Sequence, residues 1–148
     1  MSVLHPQRSR EWFNARKGKV TGSIAGAILG VNPWMSADDV MRNMVRDYHG
    51  ADKAFTGNVA TAYGQFHEDG ALRDFAMDLP HLAVQETGFH SSDNWLGASP
   101  DALVDDDAVL EIKCPYGQGD KNPPKFKTAE EQLHYFAQMQ IEMFVTHT

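Results

Sequence analysis

The sequence predicts an α/β (α+β) fold: a small mixed β-sheet flanked by helices. Three observations lead there. Residues 9–80 place apolar side chains at helical spacing between Gly and Pro stops. Residues 82–114 switch to short β-forming runs bounded by turn signals, and residues 128–145 return to the helical period. Helices, a meander of strands and a closing helix suit one layered domain. With 148 residues, no internal repeat and no dividing linker, residues 1–148 are expected to form a single domain.

Each element has its own signal. "SREWFNARKG" (9–18) predicts a short helix that ends at Gly18, and "TGSIAGAILG" (21–30) a second, with Thr21 as N-cap and Gly30 as stop. "SADDVMRNMVRDYHG" opens with a capping box, Ser36 with Asp39, and carries an apolar stripe of Val40, Met41, Met44, Val45 and Tyr48. The longer helix at 58–80 is expected to bury Ala62, Phe66, Leu72, Phe75 and Leu79 before Pro80 stops it. "LAVQETGFH" (82–90), "WLGASPDALV" (95–104) and "AVLEIKC" (108–114) predict three strands, the last two joined by Asp105, Asp106 and Asp107 as a solvated turn. After a Pro/Gly/Lys loop, "TAEEQLHYFAQMQIEMFV" predicts a helix capped by Thr128 and Glu131.

Composition excludes several classes. No apolar stretch is long enough to span a bilayer, and "MSVLHPQRSR" lacks the apolar centre of a secretion signal. A cytosolic protein with no membrane contact is therefore expected. Cys114 is the only cysteine, so neither an intrachain disulfide nor a thiolate zinc cluster can form. His67 and His134 lack metal-ligand spacing and read as structural or surface residues. The net charge of −7 is unevenly spread: residues 8–19 carry +4, residues 113–127 carry +3, and the remainder carries −14. Two readings stay open, charged loops that are merely solvated or a basic track that attracts phosphates.

The chemistry concentrates in the second predicted hairpin. Alternation puts Val109, Glu111 and Lys113 on one face, and Leu110, Ile112 and Cys114 on the other. A hairpin centred on Asp106 sets Asp101 directly opposite Glu111, with Cβ atoms roughly 4.5–5.5 Å apart. Two carboxylates that close repel, raising one pKa unless a cation lies between them, and Lys113 is poorly placed to neutralise both. A divalent ion would do so. Oxygen ligands favour Mg²⁺ or Mn²⁺ over Zn²⁺, and such an ion supports hydrolysis of a phosphodiester with an ammonium beside it. The bare acid, acid and lysine pattern is common by chance, so its surroundings must identify it.

Those surroundings do. "SPDAL" (99–103), the ten-residue separation and "LEIKCP" (110–115) together resemble the lambda-exonuclease family of phage recombinases, the YqaJ-like viral recombinases. That family lies within the restriction-endonuclease-like superfamily of PD-(D/E)XK nucleases. "RKGKVTGS" (16–23), "YGQFHEDGALRDF" (63–75) and "YFAQMQIEMFVT" (135–146) resemble its other three blocks in order. The resemblance implies a restriction-endonuclease-like core and a Mg²⁺-dependent 5′→3′ exonuclease. Such an enzyme acts on double-stranded DNA ends and leaves 3′ single-stranded overhangs for recombination. It implies Asp101 and Glu111 as metal-binding carboxylates, the Ile112 carbonyl as a further ligand and Lys113 as the catalytic lysine. Glu68 matches the helical glutamate that supports the metal, and Gln138 the glutamine that positions water or substrate. Arg16, Thr21 and Ser23 resemble the pocket for a 5′-terminal phosphate, and free N–H groups where Thr21-Gly22-Ser23 opens a helix also favour an anion. A single-strand annealing protein as partner and a ring trimer in the host cytosol are implied as well. Family members continue beyond this closing helix, whereas the sequence stops at "FVTHT"; it is expected to be a fragment or a minimal variant, and the trimer is not expected to carry over unchanged.

Two other functions remain compatible with these residues. One is a structure-selective endonuclease or resolvase of the same superfamily. The other is a non-catalytic DNA-binding module, against which the retention of two mutually repelling carboxylates argues.

Overall fold

The computed structural model describes residues 5–51, 57–118, 121 and 123–148. The first helix, α1 (Arg10–Arg16), begins where the Ser9 side chain accepts from the Trp12 amide, and the chain turns at Gly18 with φ +71°. A two-residue strand β1 (Val20–Thr21) then leads into α2 (Gly22–Ile28). Thr21 occupies the N-cap position, but its hydroxyl makes no capping bond and pairs with the Ser23 hydroxyl at 3.2 Å instead. Helix α3 (Ala37–Tyr48) has the expected reciprocal box between Ser36 and Asp39. Its stripe is not buried as the periodicity implied: Val40 is buried, whereas Met41, Val45 and Tyr48 are exposed.

Helix α4 (Val59–Asp78) starts from Asn58 and Thr61, which cap each other. No residue along it is fully buried, and the expected inner face is met only in its second half, where Leu72, Phe75 and the capping Leu79 are half-buried. Phe66 and Ala62 point to solvent, while Tyr63, Gly64, Glu68 and Leu72 turn toward the protein. The reason is local: this face meets the polar 101–116 region, with Tyr63 edge-on to Tyr116, rather than an apolar sheet.

The three expected strands are divided further. They form β2 (Val84–Glu86), β3 (His90–Ser92), β4 (Leu96–Ala98), β5 (Ala102–Val104) and β6 (Ala108–Leu110). One sheet has the order β1-β4-β3, with β1 parallel to β4 and β3 antiparallel to it. The other, β2-β5-β6, is antiparallel throughout. The long run at 95–104 therefore crosses between sheets at Ser99-Pro100. Proline lacks the N–H that a continuing ladder needs. Gln7 Nε2 donates to the Pro100 carbonyl at 3.0 Å, and Trp12 Nε1 donates to Ser99 Oγ at 2.7 Å, tying this crossing to the N-terminal segment.

The hairpin register is the expected one: Ala102 pairs with Leu110, Leu103 with Val109 and Val104 with Ala108. The Asp105–Asp107 connection is an exposed turn, as expected, but it is anchored at one end. Asp105 exchanges two bonds with Ala83, its amide donating to the carbonyl at 2.8 Å and its carboxylate accepting from the Ala83 amide at 2.9 Å.

The closing helix α5 (Leu133–Thr146) starts later than expected. Thr128 and Glu131 do make their reciprocal bonds, but around a turn that precedes the helix. Helix α5 packs on β3, β4 and α2, and Val145 joins Leu96 and Ala98 in the core, with Val20 and Ile141 against them. The approach to α2 is close: a Cβ added at Gly26 would lie 2.7 Å from the His134 Cα. That contact draws α5 in until its polar face reaches the 111–113 segment. Among the described residues no helix is long and apolar enough to cross a membrane.

Candidate functional site

The β5–β6 ladder stops at Ala102 and Leu110, so Asp101 and Glu111 lie one residue beyond the paired strands instead of within them. The ladder is replaced by a side chain. The Asp101 amide donates to the Leu110 carbonyl at 3.0 Å, and Asp101 Oδ2 accepts from the Ile112 amide at 2.6 Å. The acidic residue thus closes the open end of its own hairpin, which fixes its carboxylate against the 111–112 backbone.

Around Glu111 the structure gathers Lys113, Gln138 and Glu142. Lys113 Nζ donates to Glu111 Oε1, and Gln138 Nε2 donates to the same oxygen at 2.6 Å. Gln138 Oε1 lies 3.3 Å from Lys113 Nζ, and the ammonium also stands 5.0 Å from the centre of the Tyr135 ring. The Glu111 side chain is only 8% exposed, and its second oxygen, Oε2, is buried without a hydrogen-bond partner. Such an orphaned carboxylate oxygen is costly unless a cation or donor reaches it.

On the other side of Asp101 a cavity of about 500 Å³ is lined by Gln7, Arg8, Glu68, Asp69, Asp101 and Ile112, among others. Glu68 reaches into it from α4, held by Arg8, whose Nη2 donates to both carboxylate oxygens at 2.9 and 2.8 Å. Asp101 links the two clusters.

The electrostatics follow from this crowding. Burial first, then the charge of Glu111, pushes the Asp101 carboxyl up to about 6, against the opposing Ile112 amide and Lys113 charge. Glu68 is raised by burial and by Asp101, with Arg8 opposing. For Lys113, burial lowers the pKa, but the charge and hydrogen bond of Glu111 outweigh it and the ammonium is held above its ordinary value. Burial and Glu111 push Glu142 up to about 8.

The donor set can be compared with the needs of a divalent ion. Among the described residues no group of three His, Cys, Asp or Glu side chains is gathered tightly enough to hold a metal alone. Two carboxylates, a carbonyl and solvent are nevertheless the ligands that Mg²⁺ accepts, since it keeps several waters. The orphaned Glu111 Oε2 and the raised Asp101 are among the unbalanced acids here, beside Glu142, and are the two that a cation would satisfy. The residues fit a hard divalent ion.

The second expected cluster also forms. Arg16 Nη2 donates to Ser23 Oγ at 3.3 Å, Ser23 pairs with Thr21, and the Arg16 guanidinium lies 4.1 Å from the centre of the Trp12 ring. Among the described residues no carboxylate forms an ion pair with Arg16, and burial lowers its pKa. Through Trp12 and Ser99 this cluster is connected to the chain two residues before Asp101. Sequence reasoning missed Trp12, Ser99, Arg8 and Glu142. Trp12 lies four positions before Arg16 on the first helix, and its spacing could have suggested a stacking partner. His67 and His134 take structural places: His67 stacks beside Tyr63, and His134 packs between Trp34 and Tyr135.

The chain is similar to known proteins over most of its length. The family model described as the YqaJ-like viral recombinase domain matches residues 11–148. The crystal structure of an alkaline exonuclease (LHK-Exo) from Laribacter hongkongensis superposes with a TM-score of 0.70 at 28% identity, covering 94% of this chain and 69% of that one. The structure of LHK-Exo in complex with dAMP gives a TM-score of 0.70 at 29% identity with the same coverage. A phage-related exonuclease from Haemophilus somnus 129PT has the same fold, with a TM-score of 0.65 at 23% identity, covering 87% of this chain and 63% of its own. No curated protein matches the sequence.

Proposed function

The chain belongs to the YqaJ-like viral recombinase family, and from that premise we propose that it is a Mg²⁺- or Mn²⁺-dependent exonuclease that digests double-stranded DNA from its ends. The observation that carries the reading is the convergence of Asp101, Glu111, Lys113 and Gln138 from separate parts of the sequence on one buried acid cluster. Asp101 and Glu111, with the Ile112 carbonyl, would hold the ion, and Glu68 would support it from α4. When bound, the ion supplies activation of water and compensation of charge on the phosphoryl group.

The chain's own residues supply the rest. Lys113, kept protonated by Glu111, offers an ammonium to the negative charge that builds on the phosphate oxygens. Gln138 holds Glu111 and turns its carbonyl toward Lys113, so that both polar groups keep a fixed orientation before substrate arrives. The Arg16, Thr21 and Ser23 cluster supplies a cation and hydroxyls suited to a terminal phosphate, which supports an end-dependent 5′→3′ direction. The dAMP complex of LHK-Exo, a nucleotide in the same fold, supports DNA as substrate.

The family's other properties form part of the proposal: 3′ overhangs handed to a single-strand annealing protein, assembly into a ring, and action in the host cytosol. Duplexes labelled at one 5′ or one 3′ end, linear or closed into circles, test the central part. The expected result is early release of 5′ label with Mg²⁺ and no attack on closed circles. Cleavage of closed circles, or of branched DNA without free ends, would favour a resolvase. Tight duplex binding with no digestion in either metal would favour a non-catalytic module.

A further inference from the structure

Glu142 is the one acidic or basic side chain that is fully buried among the described residues, at 1% exposure, and no step above uses it. An ionisable group in such a place is costly unless it makes specific bonds. It stands four residues after Gln138 on α5, so the two side chains share one helix face. The Gln138 amide nitrogen carries two protons, and each has a partner: Glu111 Oε1 at 2.6 Å and Glu142 Oε1 at 2.8 Å. Flipping the amide would turn its NH₂ toward the Lys113 ammonium and its carbonyl toward Glu111 Oε1, and Glu142 supplies the second acceptor that holds the observed orientation. The carbonyl is left to meet Lys113 at 3.3 Å, and Glu111 is held by Oε1, with Oε2 free of hydrogen bonds.

We propose that Glu142 is a positioning residue that sets the orientation of Gln138 and, through it, the Glu111 carboxylate and the Lys113 ammonium. The inference rests on the nuclease reading for its consequence, but its geometric content stands separately. Residues behind a ligand that orient it commonly matter tenfold or more when removed. Gln at 142 keeps an acceptor for the Gln138 amide, whereas Leu removes it at similar volume.

The test compares wild type, E142Q and E142L in three measurements: the side-chain NH₂ resonances of Gln138 in ¹⁵N-labelled protein, assigned by their loss in Q138L; Mn²⁺ affinity by calorimetry; and duplex digestion as kcat and KM. The expected result is that E142L shifts one of the two Gln138 protons toward the solvent-exposed range. Mn²⁺ affinity or kcat would also fall by about tenfold or more, with KM for DNA little changed, and E142Q would recover the resonance pair and most of the loss. An unchanged Gln138 pair in a folded E142L protein overturns the proposal, as does an E142Q protein that lacks the pair. Should E142L not fold, the E142Q resonances decide alone. If wild type neither binds Mn²⁺ nor digests DNA, the nuclease reading fails, while the amide resonances still decide the role of Glu142.

Discussion

Gln138 Nε2 lies 2.6 Å from Glu111 Oε1, although 27 positions separate them in the chain. The bond joins the closing helix to the end of the β5–β6 hairpin and makes one site of two elements that share no local signal. It exists because α5 is drawn close to α2 at Gly26, which brings the helix's polar face over residues 111–113.

The close helix contact gives a stability prediction. Gly26→Ala places a methyl carbon 2.6 Å from the His134 Cβ and 2.7 Å from its Cα, on backbone that cannot move without moving α5. Alanine normally gains about 1 kcal/mol over glycine within a helix. Overpacking here reverses the sign, and a net loss of about 1–3 kcal/mol is expected. The midpoint of urea unfolding measures it, and an unchanged or higher midpoint would contradict the packing described.

Asp101 gives a pH prediction for protein held in chelator. Its folded pKa, about 6, is above the ordinary Asp value of 3.8, so the folded state binds more protons between these limits. Stability from this residue is therefore greatest below about pH 4 and declines as pH rises toward and past 6. At about 1.4 kcal/mol per pKa unit, the full difference is up to about 3 kcal/mol. Wild type should lose stability relative to Asp101→Asn when thermal unfolding is followed from pH 4 to pH 7. A constant difference between the two proteins would remove the case for a strained acid.

Much of this site was legible in the sequence, for identifiable reasons. The pairing of Ala102 with Leu110 follows from a turn centred on Asp106, and it correctly brings Asp101 near Glu111. The ladder's end was not legible, because it depends on the Asp101 carboxylate capturing the Ile112 amide, a choice made between neighbours in space. Residues 95–104 read as one strand despite Pro100, because the division of one run between two sheets requires the partners of β4 and β5 to be known. Glu142 resembles an ordinary helix acid, and only the seating of α5 buries it. The α3 stripe shows the converse: its period is helical, but Met41, Val45 and Tyr48 are exposed.

Metal affinity should depend on both carboxylates. Asp101→Asn and Glu111→Gln are each expected to weaken Mn²⁺ binding by at least about tenfold in calorimetric titration, beyond the effect of removing a residue behind the ligands. Equal affinity in all three proteins would place the ion elsewhere.

The Arg16 cluster predicts recognition of the DNA end. Hydrogen bonds to a charged phosphate are worth about 1.5–3 kcal/mol, so Arg16→Ala should slow digestion of 5′-phosphorylated duplex by about tenfold or more. Ends bearing a 5′-hydroxyl should be digested at nearly equal rates by both proteins. An identical fold-loss on both kinds of end would assign Arg16 to general DNA binding.

The most direct measurement compares wild type with Lys113→Ala on a linear duplex in Mg²⁺, with duplex binding followed in parallel in Ca²⁺. The expected result is loss of digestion by about a hundredfold or more, with binding within a few-fold of wild type, because the ammonium acts on charge that develops in the reaction. Digestion at the wild-type rate by Lys113→Ala would show that the Asp101, Glu111 and Lys113 cluster is not where the DNA backbone is broken.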